Sequence, residues 1–295
     1  MNMSDLSAIS QAFGDAVARV GRSVVAVHAG RCETASGVAF SREHVVTAAH
    51  ALERETELEV TFGDERVPAT LVGADPASDL AVLRVERELT PLPHADVGTL
   101  RAGELALAVS RGGRGLKARL GIVSRVGPGF RVGPGLEAER YIESDIAPAP
   151  GLAASALIDA SGALIGLNAT GVVRGALVAL PSGVVARAVD AIVRHGHVRR
   201  AKIGVAVERV ELPQAVAARR GKQRGLIVLG VAAGGPAERA GVLLGDVILT
   251  VGGQAVARAD ELSSLLDEDK IGVELGLEIL RAGAELTLSV KPEAR

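Results

Sequence analysis

The stretch SDIAPAPGLAASALIDASGALIGLN runs from Ser144 to Asn168. Pro148, Pro150 and Gly151 break one segment and mark a tight turn. Three small residues follow, Ala153, Ala154 and Ser155. Then come two apolar runs, ALID and ALIGLN, joined by a polar link that contains Gly162. Short apolar runs flanked by turn residues read as neighbouring strands. The turn at 150–155 therefore feeds directly into a sheet.

Working outward, the same texture fills most of the first two hundred residues. SVVAVHA, SGVAF, HVVTAA, LEVTF and DLAVLRV are short and rich in β-branched residues. Gly30, Ser41-Arg42-Glu43, Gly63-Asp64 and Asp75-Pro76 separate them. A second set follows from about Glu104: ELALAVS, LGIVSRV, RYIES, SALID, ALIGLNA and GALVALP. Strands at this pitch predict an all-β barrel or sandwich and exclude a βαβ architecture. VGPG at 126–129 recurs at 132–135 and predicts a loop or wide hairpin. Helical spacing appears at Leu6, Ile9, Phe13, Val17 and Val20, with Ser4 or Asp5 as N-cap. It appears again over 182–196, with Ser182 as the cap. Residues 201–291 form a separate unit with KIGVAVERV and GLIVLGV as strands, ADELSSLLDED (259–269) as a helix, and ELGLEILR and ELTLSVK as a closing hairpin.

Composition narrows the class. The chain has 295 residues, of which 48% are hydrophobic and 23% charged, enough apolar material for two domains. With only four Phe, one Tyr and no Trp, the cores must be aliphatic. The net charge of −2 supplies no field for nucleic acid or anionic lipid. The basic run at 199–202 reads as a solvated linker. The single cysteine, Cys32, cannot form an internal disulfide. No stretch approaches the roughly 20 apolar residues of a membrane span, and the first twenty residues lack the pattern of a leader. The expectation is a cytoplasmic protein with no nucleic-acid or membrane partner. The six histidines show no metal-ligand spacing, so no metal or cofactor is expected. His195-Gly196-His197 reads as a helix C-cap, and Arg111-Gly-Gly-Arg-Gly115 as a surface loop bordering a cleft.

Three short motifs carry the chemistry. TAAH ends at His50 after an apolar strand. DPASDLAVL places Asp79 at the mouth of another. The third is the block quoted above. In this order, and with ALPSGVV at 179–185 and the module at 202–291, the chain resembles HtrA-type serine proteases of the trypsin fold with a C-terminal PDZ domain. The resemblance implies a mainly β fold: a double six-stranded barrel over residues 1–200 and an α+β PDZ domain over 201–295. It implies that His50 is the general base and Asp79 its orienter, with the amides of Gly151 and Ala153 as the oxyanion hole. The family pattern at the nucleophile is glycine, any residue, serine, glycine, glycine. Here it reads Gly151-Leu152-Ala153-Ala154-Ser155.

Ala153 thus stands at the nucleophile position, and a methyl group cannot attack a carbonyl. Loss of the serine in a comparable triad lowers turnover roughly 10⁶-fold. The loss of both following glycines predicts a reshaped turn. Three readings follow. In the first, the chain is inactive and binds C-termini or unfolded segments as scaffold, adaptor or holdase. In the second, it is an active endopeptidase that uses an unconventional serine such as Ser155. In the third, it is a regulatory subunit of an active paralogue. The resemblance implies a homotrimer or a co-assembly, although Phe13 is the only aromatic residue of the N-terminal segment. In the PDZ unit, Lys202, Ile203, Gly204 and Val205 correspond to the carboxylate-binding loop, and Leu262, Leu265 and Leu266 to the helical wall of the groove.

Overall fold

A computed structural model describes residues 3–30, 34–52, 56–133, 136–173 and 175–294. Cys32 lies outside them. The chain folds as two compact units that divide after Val198.

The first unit opens with helix α1 (Met3–Val20), which starts ahead of both expected caps. Strands β1 (Val24–His28), β2 (Thr34–Ala39), β3 (His44–Ala48), β4 (Leu58–Phe62), β5 (Glu65–Asp75) and β6 (Leu80–Val85) close into an antiparallel barrel in the order β1-β2-β3-β6-β5-β4. Strands β7 (Leu105–Gly112), β8 (Gly115–Gly133), β9 (Leu136–Ser144), β10 (Ala156–Asp159), β11 (Leu164–Ala169) and β12 (Leu177–Pro181) close into a second, in the order β10-β11-β12-β9-β8-β7. Helix α2 (Ser182–His195) ends the unit.

Side chains of a strand alternate between its two faces, and here both faces of several strands are buried. Val25, Val45 and Leu83 point into the first barrel's interior. Their neighbours Val24, Val46 and Val82 join a separate core with Leu107, Ile158, Leu167 and Leu180 of the second barrel and Val185 and Ile192 of α2. Leu157, Ile165 and Leu177 fill the second barrel. Burial on both faces explains why these strands read as continuous apolar runs. Fully burying a side chain such as Ile158 contributes about 1.5–3 kcal/mol. The glycine of ALIGLN has a steric cause: a Cβ on Gly166 would lie 2.1 Å from the Leu180 carbonyl oxygen.

Of the two expectations for the VGPG repeat, the hairpin fits: Gly127-Pro128-Gly129 lies within the 19-residue strand β8, which neighbours the next strand, β9. Residues 134 and 135 of the second copy lie outside the described residues. Ser182 is the first residue of α2, and no side chain caps the helix. Phe13 packs against the chain's own core together with Val17. The expected C-cap at Gly196 is present: Gly196 is left-handed at φ +79° and its N–H donates to the Ile192 carbonyl.

The second unit contains β13 (Ala201–Lys202), β14 (Val205–Glu211), α3 (Gln214–Arg220), β15 (Arg224–Val231), α4 (Pro236–Arg239), β16 (Val247–Val251), β17 (Gln254–Ala255), α5 (Ala259–Ser264), β18 (Leu275–Arg281), β19 (Ala284–Val290) and β20 (Glu293–Ala294). The main sheet runs β14-β15-β16-β18-β19, with β17 beside β16 and β13 paired to β20. Helix α5 stops at Ser264, short of the 259–269 predicted, and a single 3₁₀ turn covers Glu268–Lys270. Asp267, Glu268 and Asp269 would place three negative charges at the negative end of a longer helix. Among the described residues, no helix is long and apolar enough to cross a membrane.

Candidate functional site

Strand register brings His50 to Asp79. The β3–β6 ladder ends at the pair Ala48–Leu80, so the residues just beyond it emerge side by side. A 3₁₀ turn over Ala49–Ala51 then carries His50 out of the barrel. Three hydrogen bonds fix the corner. The Ala49 N–H donates to the Asp79 carbonyl at 3.0 Å, and the His50 N–H donates to Asp79 Oδ1 at 2.9 Å. His50 Nδ1 meets Asp79 Oδ2 at 2.6 Å. An ionised carboxylate can only accept, so Nδ1 carries the proton and Nε2 of a neutral ring is left as a base.

Asp79 reaches this geometry in a left-handed backbone conformation, φ +57°. Such a conformation costs an L-residue about 1–2 kcal/mol and is best tolerated by Gly, Asn and Asp. The preceding turn is braced by buried Asp75, whose Oδ2 accepts both the N–H (3.0 Å) and the hydroxyl (2.6 Å) of Ser78. Strain held in place by bracing of this kind recurs at functional sites.

Two residues of the turn at 150–155 are left-handed. Gly151 has φ +80° and Ala154 has φ +54°. Ala154 thus holds a conformation that glycine adopts freely. The Ala154 N–H donates to the Asn168 carbonyl at 2.8 Å, tying the turn to β11. Among the described residues, the amides of Gly151 and Ala153 have no hydrogen-bond acceptor. Ser155 is fully buried; its hydroxyl donates to the Leu152 carbonyl at 2.6 Å and accepts from Asn168 Nδ2 at 2.9 Å. It does not line the cleft.

His50, Gly151 and Ala153 line one cleft of about 800 Å³. Ser36, Ser110 and Thr170 add hydroxyl-bearing side chains to its lining. Arg111, Arg114 and Lys117 border it from the β7–β8 hairpin, as expected for the glycine-rich segment. That segment is a two-residue turn between paired Gly112 and Gly115.

A second groove, of about 550 Å³, belongs to the C-terminal unit. It is lined by Lys202, Ile203, Gly204, Val205 and Ala206 on one side and by Leu262, Ser263 and Leu266 on the other. Leu265 is not among its lining; it packs half-buried against the unit's core. Leu265 is the C-cap residue that follows the last turn of α5. Gly204 is left-handed at φ +79°. Among the described residues, the amides of Ile203 and Gly204 have no acceptor. Strand β14 is an edge of its sheet, with one neighbour. Donors at the end of a free strand edge suit capture of a peptide carboxylate and strand addition. Nothing in the sequence pattern revealed that Ala206 and Ser263 also face this groove.

Comparison with known proteins assigns a family to each unit. The trypsin-like peptidase domain model matches residues 35–167 and the PDZ domain model matches residues 201–291. The chain is 32% identical over 274 residues to a probable periplasmic serine endoprotease DegP-like of Marinomonas sp., covering 90% of this chain and 58% of that protein. It is 31% identical over 270 residues to the periplasmic serine endoprotease DegP of Escherichia coli, covering 87% and 56%. Among solved structures, the HtrA-type protease AlgW with decapeptide superposes with a TM-score of 0.72 at 27% identity, covering 96% of this chain and 98% of that one. The serine endoprotease from Yersinia pestis superposes at 0.73 and 25% identity, with 96% and 98% coverage. The fold is therefore a trypsin-like double barrel followed by a PDZ domain. Within that class the chain is of the HtrA/DegP type. It spans a little over half the length of these curated relatives, whose names place them in the periplasm.

Proposed function

We propose that this chain is a non-catalytic member of the HtrA/DegP type that captures peptide ends or unfolded segments through its PDZ groove, as a scaffold, adaptor or holdase. One observation carries the reading: the side chain that shares the cleft with the His50–Asp79 pair, at the turn with two free amides, is the methyl of Ala153. With a methyl at that position, the base and its orienter have no hydroxyl there to deprotonate, and acyl transfer cannot begin from residue 153. Ser155 is committed to Leu152 and Asn168. The free amides beside the β14 edge, and the solved AlgW relative with a decapeptide, support peptide capture.

Two measurements test it. Fluorescein-casein should stay intact, and a fluorophosphonate probe should leave no adduct on peptide mapping. Turnover that disappears on His50→Ala would overturn the non-catalytic reading. A peptide with a free C-terminus should bind more tightly than its amidated form, and Gly204→Val should abolish that preference.

A further inference from the structure

On the reading of Ala153 as the nucleophile position, we propose that the barrel cleft is itself a binding site for peptide carboxylate groups, separate from the PDZ groove. Among the described residues, its lining holds Arg111, Arg114, Lys117 and His50 and no Asp or Glu. The chain as a whole carries a net charge of −2, so this positive character is local. Many of the chain's other arginines are paired with carboxylates, Arg220 with Glu278 and Glu285 among them. Among the described residues, Arg114 and Lys117 have neither an ion pair nor a hydrogen-bond partner. Asp79 lies against His50 and offsets a charge there only.

The neutral groups of the cleft make the same demand. The amides of Gly151 and Ala153 are donors without acceptors, and the methyl of Ala153 supplies no oxygen to them. Thr170 adds a hydroxyl. Unmet donors together with unpaired cations favour an anion that accepts at several points, as a carboxylate does. The cationic hairpin is held in place: Arg111 donates through Nε to the Val24 carbonyl and through an Nη to the Gly21 carbonyl, both at 2.7 Å. A cleft of about 800 Å³ has room for several residues of an extended segment. An acidic peptide is the chemistry that fits.

The test uses the full chain and fluorescence anisotropy with three fluorescein-labelled peptides. They are an amidated hexaglutamate, an amidated Gly-Ser hexapeptide, and the Gly-Ser peptide with a free C-terminus. Hexaglutamate should bind and the amidated Gly-Ser peptide should not. Binding should weaken at high salt and fall about tenfold or more in the charge reversal Arg114→Glu/Lys117→Glu, while Arg114→Lys retains it. Arg114 and Lys117 are exposed, so the reversed chain keeps its fold, as circular dichroism will verify. If reversal also weakens the free-terminus peptide, a main-chain carboxylate serves as well as a side-chain one; if it does not, the site is for acidic side chains. A photo-crosslinker on hexaglutamate should map to residues 111–117 or 148–153. No binding, equal binding by the reversed chain, or crosslinks confined to 202–206 and 262–266 would each overturn the proposal. Hydrolysis of a probe would instead sink the non-catalytic reading and leave the cleft to be judged on charge reversal.

Discussion

The hydroxyl of Ser155 donates to the carbonyl of Leu152 at 2.6 Å, and the residue is fully buried. The serine two residues beyond Ala153 is thus a structural bolt. Its other bond, from Asn168 Nδ2, is the only one recorded for that buried amide side chain, whose Oδ1 is unpartnered among the described residues. Ser155→Gly should therefore destabilise the chain by about 1–3 kcal/mol, the cost of stranding a buried polar group. Urea unfolding checks this, and an unchanged midpoint would refute it.

Ala154 holds φ +54° with a side chain that disfavours it. Ala154→Gly should stabilise the first unit by up to about 1–2 kcal/mol, because glycine adopts this conformation freely. Thermal unfolding reads the sign, and a fall in Tm would show that the turn is held differently.

The two free amides and the intact His50–Asp79 pair bear on repair. Ala153→Ser alone should restore labelling by a fluorophosphonate, and adding Ser155→Gly should reduce the yield of folded protein without raising the labelling rate. This prediction rests on the left-handed conformation that Ala154 already holds. A single revertant that stays unlabelled while the triple change Ala153→Ser, Ala154→Gly, Ser155→Gly reacts would restore the reshaped-turn view.

In the PDZ unit, buried Asp246 accepts from Arg281 Nε and from the Leu243 N–H. Burial opposes its ionisation, yet the Arg281 hydrogen bond, the Leu243 amide and the arginine charge together hold its carboxyl below the ordinary 3.8. A carboxyl depressed on folding stabilises the native state at every pH above its unfolded value, and that contribution is lost as the pH falls through the lower folded value. Arg281→Met should lower Tm by several degrees at neutral pH, and the gap from the parent should close only in acid below 3.8. A gap that stayed constant into acid would mean the arginine acts through packing alone.

Much of this was legible in the residues. The barrels announced themselves because β1, β3, β6 and β10 are buried on both faces and so read as unbroken apolar runs. The His50–Asp79 pair was legible as motif order, but its cause, the Ala48–Leu80 register, is a long-range fact that no local window contains. The choice between loop and hairpin at VGPG has a similar origin: Gly and Pro signal turns locally, while ladder pairing in a barrel can carry a strand through them. Helix 259–269 was read by its leucines alone, and the acidic run that stops it was given no weight. The conformation of Ala154 could not be read at all, since a residue's composition does not report a backbone angle imposed by Asn168 and its neighbours.

Arg111 ties the end of α1, the first strand of one barrel and the rim hairpin of the other to a single guanidinium. Tension on the N-terminal helix and occupancy of the cleft rim therefore act on the same two carbonyl bonds.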